Sequence, residues 1–193
     1  MDIPKARLTE VVSASVTRAS GSDPSCSFGG VFTITCVDEN NQVKWEETFP
    51  NLVVNVGLQD LNTKYFTGSA YTAAWYLGLV TGPGASNTYA AANTMVTHAG
   101  WAEFANYSGN RKAVTFGTAT TADPSVMSNS ASPSVFTITG AGGTIAGAFL
   151  TTIETKSTTT GTLFSVGNFT AGDKLVTSGD TLNVTYTFSA DAT

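Results

Sequence analysis

Alternation of apolar and polar residues is clearest at the two ends of the chain. From Val31 to Val37, Phe32, Ile34 and Cys36 share one face while Thr33 and Thr35 take the other. From Thr181 to Phe188, Leu182, Val184, Tyr186 and Phe188 alternate with Asn183, Thr185 and Thr187. A period of two marks strands with one face toward a core. Val43 to Phe49 repeats the pattern after Asp38-Glu39-Asn40-Asn41, which has turn chemistry, so residues 31–49 are predicted as a hairpin. Val135–Thr139 and Thr144–Leu150 are predicted as a second hairpin around Ala141-Gly142-Gly143. Residues 161–166 make a further strand, and 118–133 read as a long loop.

Only Asn55 to Phe66 has a helical pattern. Leu58, Leu61 and Tyr65 recur at helical spacing, Asn55 is the expected cap, and Gly68 is a stop signal. About eight strands and one helix give an all-β prediction. The expected fold is an antiparallel β-sandwich of Ig-like or jelly-roll type, with one short amphipathic helix and an extended N-terminal arm. The sandwich domain is assigned to residues 28–193 and the arm to residues 1–27. In the arm, Ile3, Leu8, Val11 and Val12 are the apolar residues that could contact another chain, and the polar run after them has loop composition.

The stretch Trp75–Phe116 fits none of these patterns for long. An apolar run, Trp75–Val80, is closed by Gly82-Pro83-Gly84, and Gly78 inside it signals a bulge or a close approach of another segment. A long loop rich in Ala, Ser, Asn and Thr follows. It carries the single histidine of the sequence, His98, and Tyr89; then come Trp101, Phe104 and Tyr107 at three-residue spacing, and the basic pair Arg111-Lys112. Long loops of this kind make contacts. Tyr89, His98, Trp101, Tyr107 and Arg111 are therefore the candidate interface residues of the domain.

Composition narrows the function. Only 12% of the residues are charged, about half the usual share, and the net charge is −5. The nine basic residues are scattered, so no basic patch for nucleic acid stands out. No apolar run has the length of a membrane span. The N-terminus lacks the apolar core of a secretory signal, which points to synthesis in a reducing cytoplasm. Cys36 reads as a small buried hydrophobe, and pairing with Cys26 is left open. One histidine and two cysteines do not make a zinc site. No G-x-S-x-G stretch presents a nucleophile. Glu46, Glu47, Glu103 and Glu154 could serve glycoside hydrolysis only if the fold brought two of them together. No enzyme activity, cofactor or metal is expected.

Several blocks of residues carry a family resemblance: WEETFPNLVVN (45–55), WYLGLV (75–80), NTMVTHAGWAEFANYSGNR (93–111), IAGAFL (145–150), GTLFSVGNF (161–169) and SGDTLNVTY (178–186). In this order the chain resembles a family of tailed-bacteriophage virion structural proteins. The resemblance runs from Asp38 to Phe188 and leaves the arm out. It implies a virion component made in the host cytoplasm, not an enzyme. Its partners would be other virion proteins, the major capsid protein or tail proteins, in a homo-oligomer with a trimer favoured. A head decoration or cement protein is the first expectation. A tail or fibre-base component, with binding of host-surface carbohydrate, is the alternative. The arm is expected to be held by another chain.

Overall fold

A computed structural model describes residues 26–68 and 74–192. Ile3, Leu8, Val11 and Val12 lie outside the described residues, as does nearly all of the predicted arm. The exception is Cys26 and Ser27, the latter already opening the first strand.

Strand β1 (Ser27–Val37) pairs with β2 (Val43–Pro50) on one side and β12 (Thr181–Asp191) on the other. Two short strands, β7 (Ser125–Ser128) and β8 (Ser134–Thr137), share the far edge of β12. The second sheet is built on β4 (Tyr76–Thr81), β9 (Gly143–Thr151) and β10 (Leu163–Asn168). Short strands β3 (Leu52–Val53), β5 (Glu103–Phe104), β6 (Lys112–Ala113) and β11 (Lys174–Val176) extend it. All pairings are antiparallel, and the two sheets pack as a sandwich.

The alternation read from the sequence explains the first sheet. Phe32, Ile34, Cys36, Leu182, Val184 and Tyr186 are fully buried and face Leu77, Leu79, Ala148, Leu150 and Phe164 of the second sheet. Cys36 is buried and Cys26 exposed, and both are free thiols. Burial, with Asp180 nearby, pushes the Cys36 thiol up to about 11. At neutral pH it is protonated and packs as a hydrophobe.

Three expectations change. The glycine turn at residues 140–143 does not close a hairpin: β8 pairs with β12 in the first sheet, whereas β9 pairs with β4 and β10 in the second. The turn carries the chain across the sandwich, because Ile138 leaves β8 buried and bridged to Tyr107. The loop at 118–133 contains β7. Helix α1 has the expected span, Asn55–Phe66, but Val54 is its cap residue, without a side-chain bond, and Asn55 donates its N–H to the Ala91 carbonyl at 2.8 Å. The helix sits down through Gly57, where a Cβ would collide with the Phe164 backbone. Leu61 rests on the core, while Tyr65 and Phe66 are 80% and 75% exposed.

Two buried carboxylates tie turns of one sheet to the edge of the other. Glu47 accepts hydrogen bonds from the N–H groups of Thr170 and Ala171 and the Thr170 hydroxyl at 2.9–3.1 Å, and pairs with Lys174 at 3.3 Å. Asp180 accepts from Lys44 at 2.6 Å and from the Thr177 N–H at 2.8 Å. Burial acts to raise both carboxyls. For Glu47 the Ala171 N–H, the Thr170 hydroxyl and Lys174 outweigh it; for Asp180, Lys44 and the Thr177 N–H do. Both therefore titrate below the ordinary carboxylate range.

In the unfolded chain these groups titrate near 4. As pH falls through that value the unfolded state takes up protons first, so stability is lost on the acid side. The urea midpoint should hold from about pH 7 to about pH 5 and fall below about pH 4, less steeply in Glu47→Gln and Asp180→Asn. A midpoint that stays level to about pH 2.5 in the parent chain would contradict these two anchors.

Candidate functional site

The second sheet is buried on both faces, and the long loop after β4 is the reason. Val80, Phe149, Leu163 and Val166 point away from the sandwich core and form a second core with Val54, Met95 and Trp101. Residues 82–102 lie over that outer face. The loop is pinned along its length: Gly84 donates its N–H to Asp173 at 2.8 Å, and Thr88 to the Gly100 carbonyl at 2.9 Å. Thr81 donates to the Ala102 carbonyl at 2.9 Å. The Tyr89 hydroxyl donates to Asn168 at 3.0 Å, and burial pushes that phenol up to about 12.

Phe149 is the centre of the second core. Its ring occupies the space over Gly78, where any Cβ would collide with it. Trp101 packs on Phe149 with ring centroids 5.2 Å apart, and His98 lies 4.2 Å from Trp101. The Trp101 Nε1–H donates to Asn93 at 3.2 Å, and His98 Nδ1 lies 3.0 Å from the Thr94 carbonyl oxygen. The Arg111 guanidinium stands 5.1 Å from the Phe149 ring centroid.

Arg111 in turn makes a bidentate pair with Glu103, Nε to Oε1 at 2.9 Å and Nη2 to Oε2 at 2.8 Å. It also donates to the carbonyls of Ile153 and Thr158 at 3.1 and 3.2 Å. Glu103 further accepts from the Tyr107 hydroxyl at 3.2 Å and the Ser157 N–H at 2.7 Å. Burial, with the Glu103 charge beside it, drives the Tyr107 phenol well above its ordinary value. The network joins β5, β6 and the loop between β9 and β10.

Between the two loops lies an open cleft of about 900 Å3, lined among others by Asn93, Met95, His98, Trp101, Glu103 and Thr158. Its walls are mostly apolar, with several threonine and serine hydroxyls, the Asn93 amide and one imidazole set among them, and the Glu103 carboxylate is already engaged by Arg111. Such a cleft can hold a neutral partner that has both an apolar and a polar face. Among the described residues that line it, none brings a second carboxylate to Glu103 for acid–base chemistry. Glu47 is engaged separately by Lys174 and the 170–171 turn, and no group of three or more His, Cys, Asp or Glu residues is placed to hold a metal among the described residues.

No protein-family model, curated protein or solved structure matches this chain.

The candidate residues therefore divide on geometry. Trp101, Tyr107 and Arg111 were expected at an interface, but they are 5%, 2% and 3% exposed. Their rings and charge are engaged inside the chain, where they position the loop, and Trp101 also borders the cleft. His98 and Tyr89 are half-buried, and only His98 lines the cleft. Sequence reasoning missed Phe149 and took Glu103 only as a carboxylate in search of a second one. Gly78 was the available signal: a glycine inside an apolar strand marks a close neighbour, here a ring.

Arg111→Met would leave the Glu103 charge buried without its partner and should cost about 3–5 kcal/mol by urea denaturation, part of it recovered in Arg111→Met/Glu103→Leu. Trp101→Ala should cost about 3–5 kcal/mol, as for a large core side chain. A loss below about 1 kcal/mol in either single variant would show that the loop is not locked in this way.

Proposed function

We propose that this chain is a structural component of a bacteriophage particle, a head decoration or cement protein that binds and stabilises capsid subunits. The blocks between Trp45 and Tyr186 that resemble virion structural proteins suggest it. The observation that carries it is the outer face of the first sheet. Rows across that face run Pro50–Val31–Thr187–Ser128, Thr48–Thr33–Thr185 and Glu46–Thr35–Asn183–Val135. Glu46 is the one charged side chain in these rows. Val31 and Val135 are 39% and 47% exposed. A broad face of threonine and valine with so little charge suits close contact with a neighbouring subunit, since little charge is desolvated on docking. On this reading the partner is the major capsid protein, the chain works as a homo-oligomer with a trimer favoured, and it resides in the virion. Neither nucleic acid nor membrane is a partner, and no catalysis or cofactor is involved.

The cleft under the loop favours a second reading, a tail or fibre-base component that binds host-surface carbohydrate. Its mostly apolar wall, with the Thr97 and Thr158 hydroxyls, the Asn93 amide and His98 set into it, suits a neutral sugar that presents one apolar face and several hydroxyls.

Copy number separates the two. Quantitative mass spectrometry of purified particles should find this chain at the copy number of the major capsid protein or a simple fraction of it. A handful of copies per particle would favour the tail reading, and absence from the particle would overturn both.

A further inference from the structure

The cleft between the long loop and residues 157–159 holds one imidazole whose chemistry is fixed by its surroundings. His98 Nδ1 lies 3.0 Å from the Thr94 carbonyl oxygen, which can only accept, so Nδ1 carries the ring proton. In the neutral ring Nε2 is then an acceptor. It has no hydrogen-bond partner among the described residues and is not sealed from solvent, so it opens on the cleft that His98 lines. The ring also leans on Trp101, with centroids 4.2 Å apart, and its direction is thereby set from two sides.

The other polar side chains of the cleft are either engaged or free to turn. Both Glu103 oxygens accept from Arg111. The Asn93 side-chain carbonyl accepts from the Trp101 Nε1–H at 3.2 Å and the Ala90 N–H at 3.1 Å. The Thr97 hydroxyl is shared with that of Thr94 at 2.8 Å. On the opposite wall the hydroxyls of Ser157 and Thr159 can rotate to suit a ligand. The exposed apolar lining comes from Ala90, Ala92, Val96, Ala99 and Ala102, small side chains that present methyl groups and no aromatic platform. Both walls are formed in advance. Trp101 on Phe149 fixes one, and the bonds of Arg111 to the Thr158 carbonyl and of Glu103 to the Ser157 N–H fix the other. A site built this way loses little to ordering when a ligand enters.

We infer that the cleft takes an N-acetylated amino sugar, whose acetamido N–H donates to His98 Nε2 and whose acetamido methyl lies on the alanine wall. An amide N–H only donates, which matches an acceptor of fixed direction, and the methyl two bonds away matches the small apolar lining. A sugar hydroxyl in the same place could also donate to Nε2, but its lone pairs would face methyl groups that donate nothing. The acetamido carbonyl accepts from the Ser157 or Thr159 hydroxyl. A cleft of about 900 Å3 is in the size range of small-ligand sites. This inference rests on the carbohydrate reading of the cleft and not on where in the particle the chain sits.

The test is an amide NMR titration of the full chain with N-acetylglucosamine, N-acetylgalactosamine and N-acetylmannosamine, each beside its parent hexose. At least one acetamido sugar should bind about tenfold or more tighter than its hexose, with shifts at residues 96–99 and 157–159. His98→Ala should bring that ratio to about twofold or less, and His98→Gln, whose Oε1 can accept in place of Nε2, should keep part of it. Ala92→Glu changes an exposed wall position and spares the core. It should abolish the preference while the amide spectrum of the sheets stays that of the parent. Equal binding of acetamido sugars and hexoses in the cleft would overturn the inference and leave the carbohydrate reading standing. So would a preference that survives His98→Ala. Binding of neither kind of sugar, or shifts only elsewhere on the domain, would overturn both.

Discussion

The packing of Phe149 over Gly78 is the contact on which the second half of this structure depends. The ring needs the space that a glycine leaves, and it fills that space on the face of the sheet turned away from the main core. An apolar ring on an outer face must be covered. Trp101 covers it from the long loop, and Arg111 stands at 5.1 Å from its centroid. Once Arg111 is drawn beneath the surface it needs a carboxylate and carbonyls, which Glu103, Ile153 and Thr158 supply. The loop, the ion pair and the cleft follow from one ring over one glycine.

The scarcity of charge acquires a meaning in the same terms. Of the nine basic residues, Lys44, Arg111 and Lys174 are paired with the buried carboxylates of Asp180, Glu103 and Glu47. Each carboxylate also accepts at least one backbone N–H from a turn or loop. These charges fasten connections to sheets and leave the outer face of the first sheet to threonine and valine. A buried pair of this kind is a weak source of net stability, but losing one partner is severe. The charge pattern is thus that of a protein whose buried ion pairs hold its turns and loops in place.

How far the sequence could be read depended on which face each strand buries. β1 and β12 bury one face, so their alternation was plain and their inward residues, from Phe32 to Tyr186, were legible. β4, β9 and β10 bury both faces, so alternation is absent and the apolar run alone remains; Phe149 looks no different from Leu150. The carboxylate anchors were hidden by distance along the chain, with Glu47 meeting Thr170 and Lys44 meeting Asp180 more than a hundred residues away. The glycines at 140–143 give one turn signal for a hairpin and for a crossing between sheets, and the residue that decides, Ile138, does so by where it is buried. At the site, Trp101, Tyr107 and Arg111 stood out by residue type, but type does not distinguish an aromatic that meets a partner from one that holds a loop.

The central claim is that the loop over the second sheet is part of the folded core and not an appended surface segment. Native-state hydrogen exchange reads this directly through the amides of Thr81 and Thr88, which donate to Ala102 and Gly100 across the loop. The account predicts that both open only with the same free energy as the amides of β4 and β9, and that all of them weaken together in Gly78→Ala, where the methyl group and the Phe149 ring compete for one space. Exchange at Thr88 that is orders of magnitude faster than in β9 of the unmodified chain would contradict it, because the loop would then open while the sandwich stays closed.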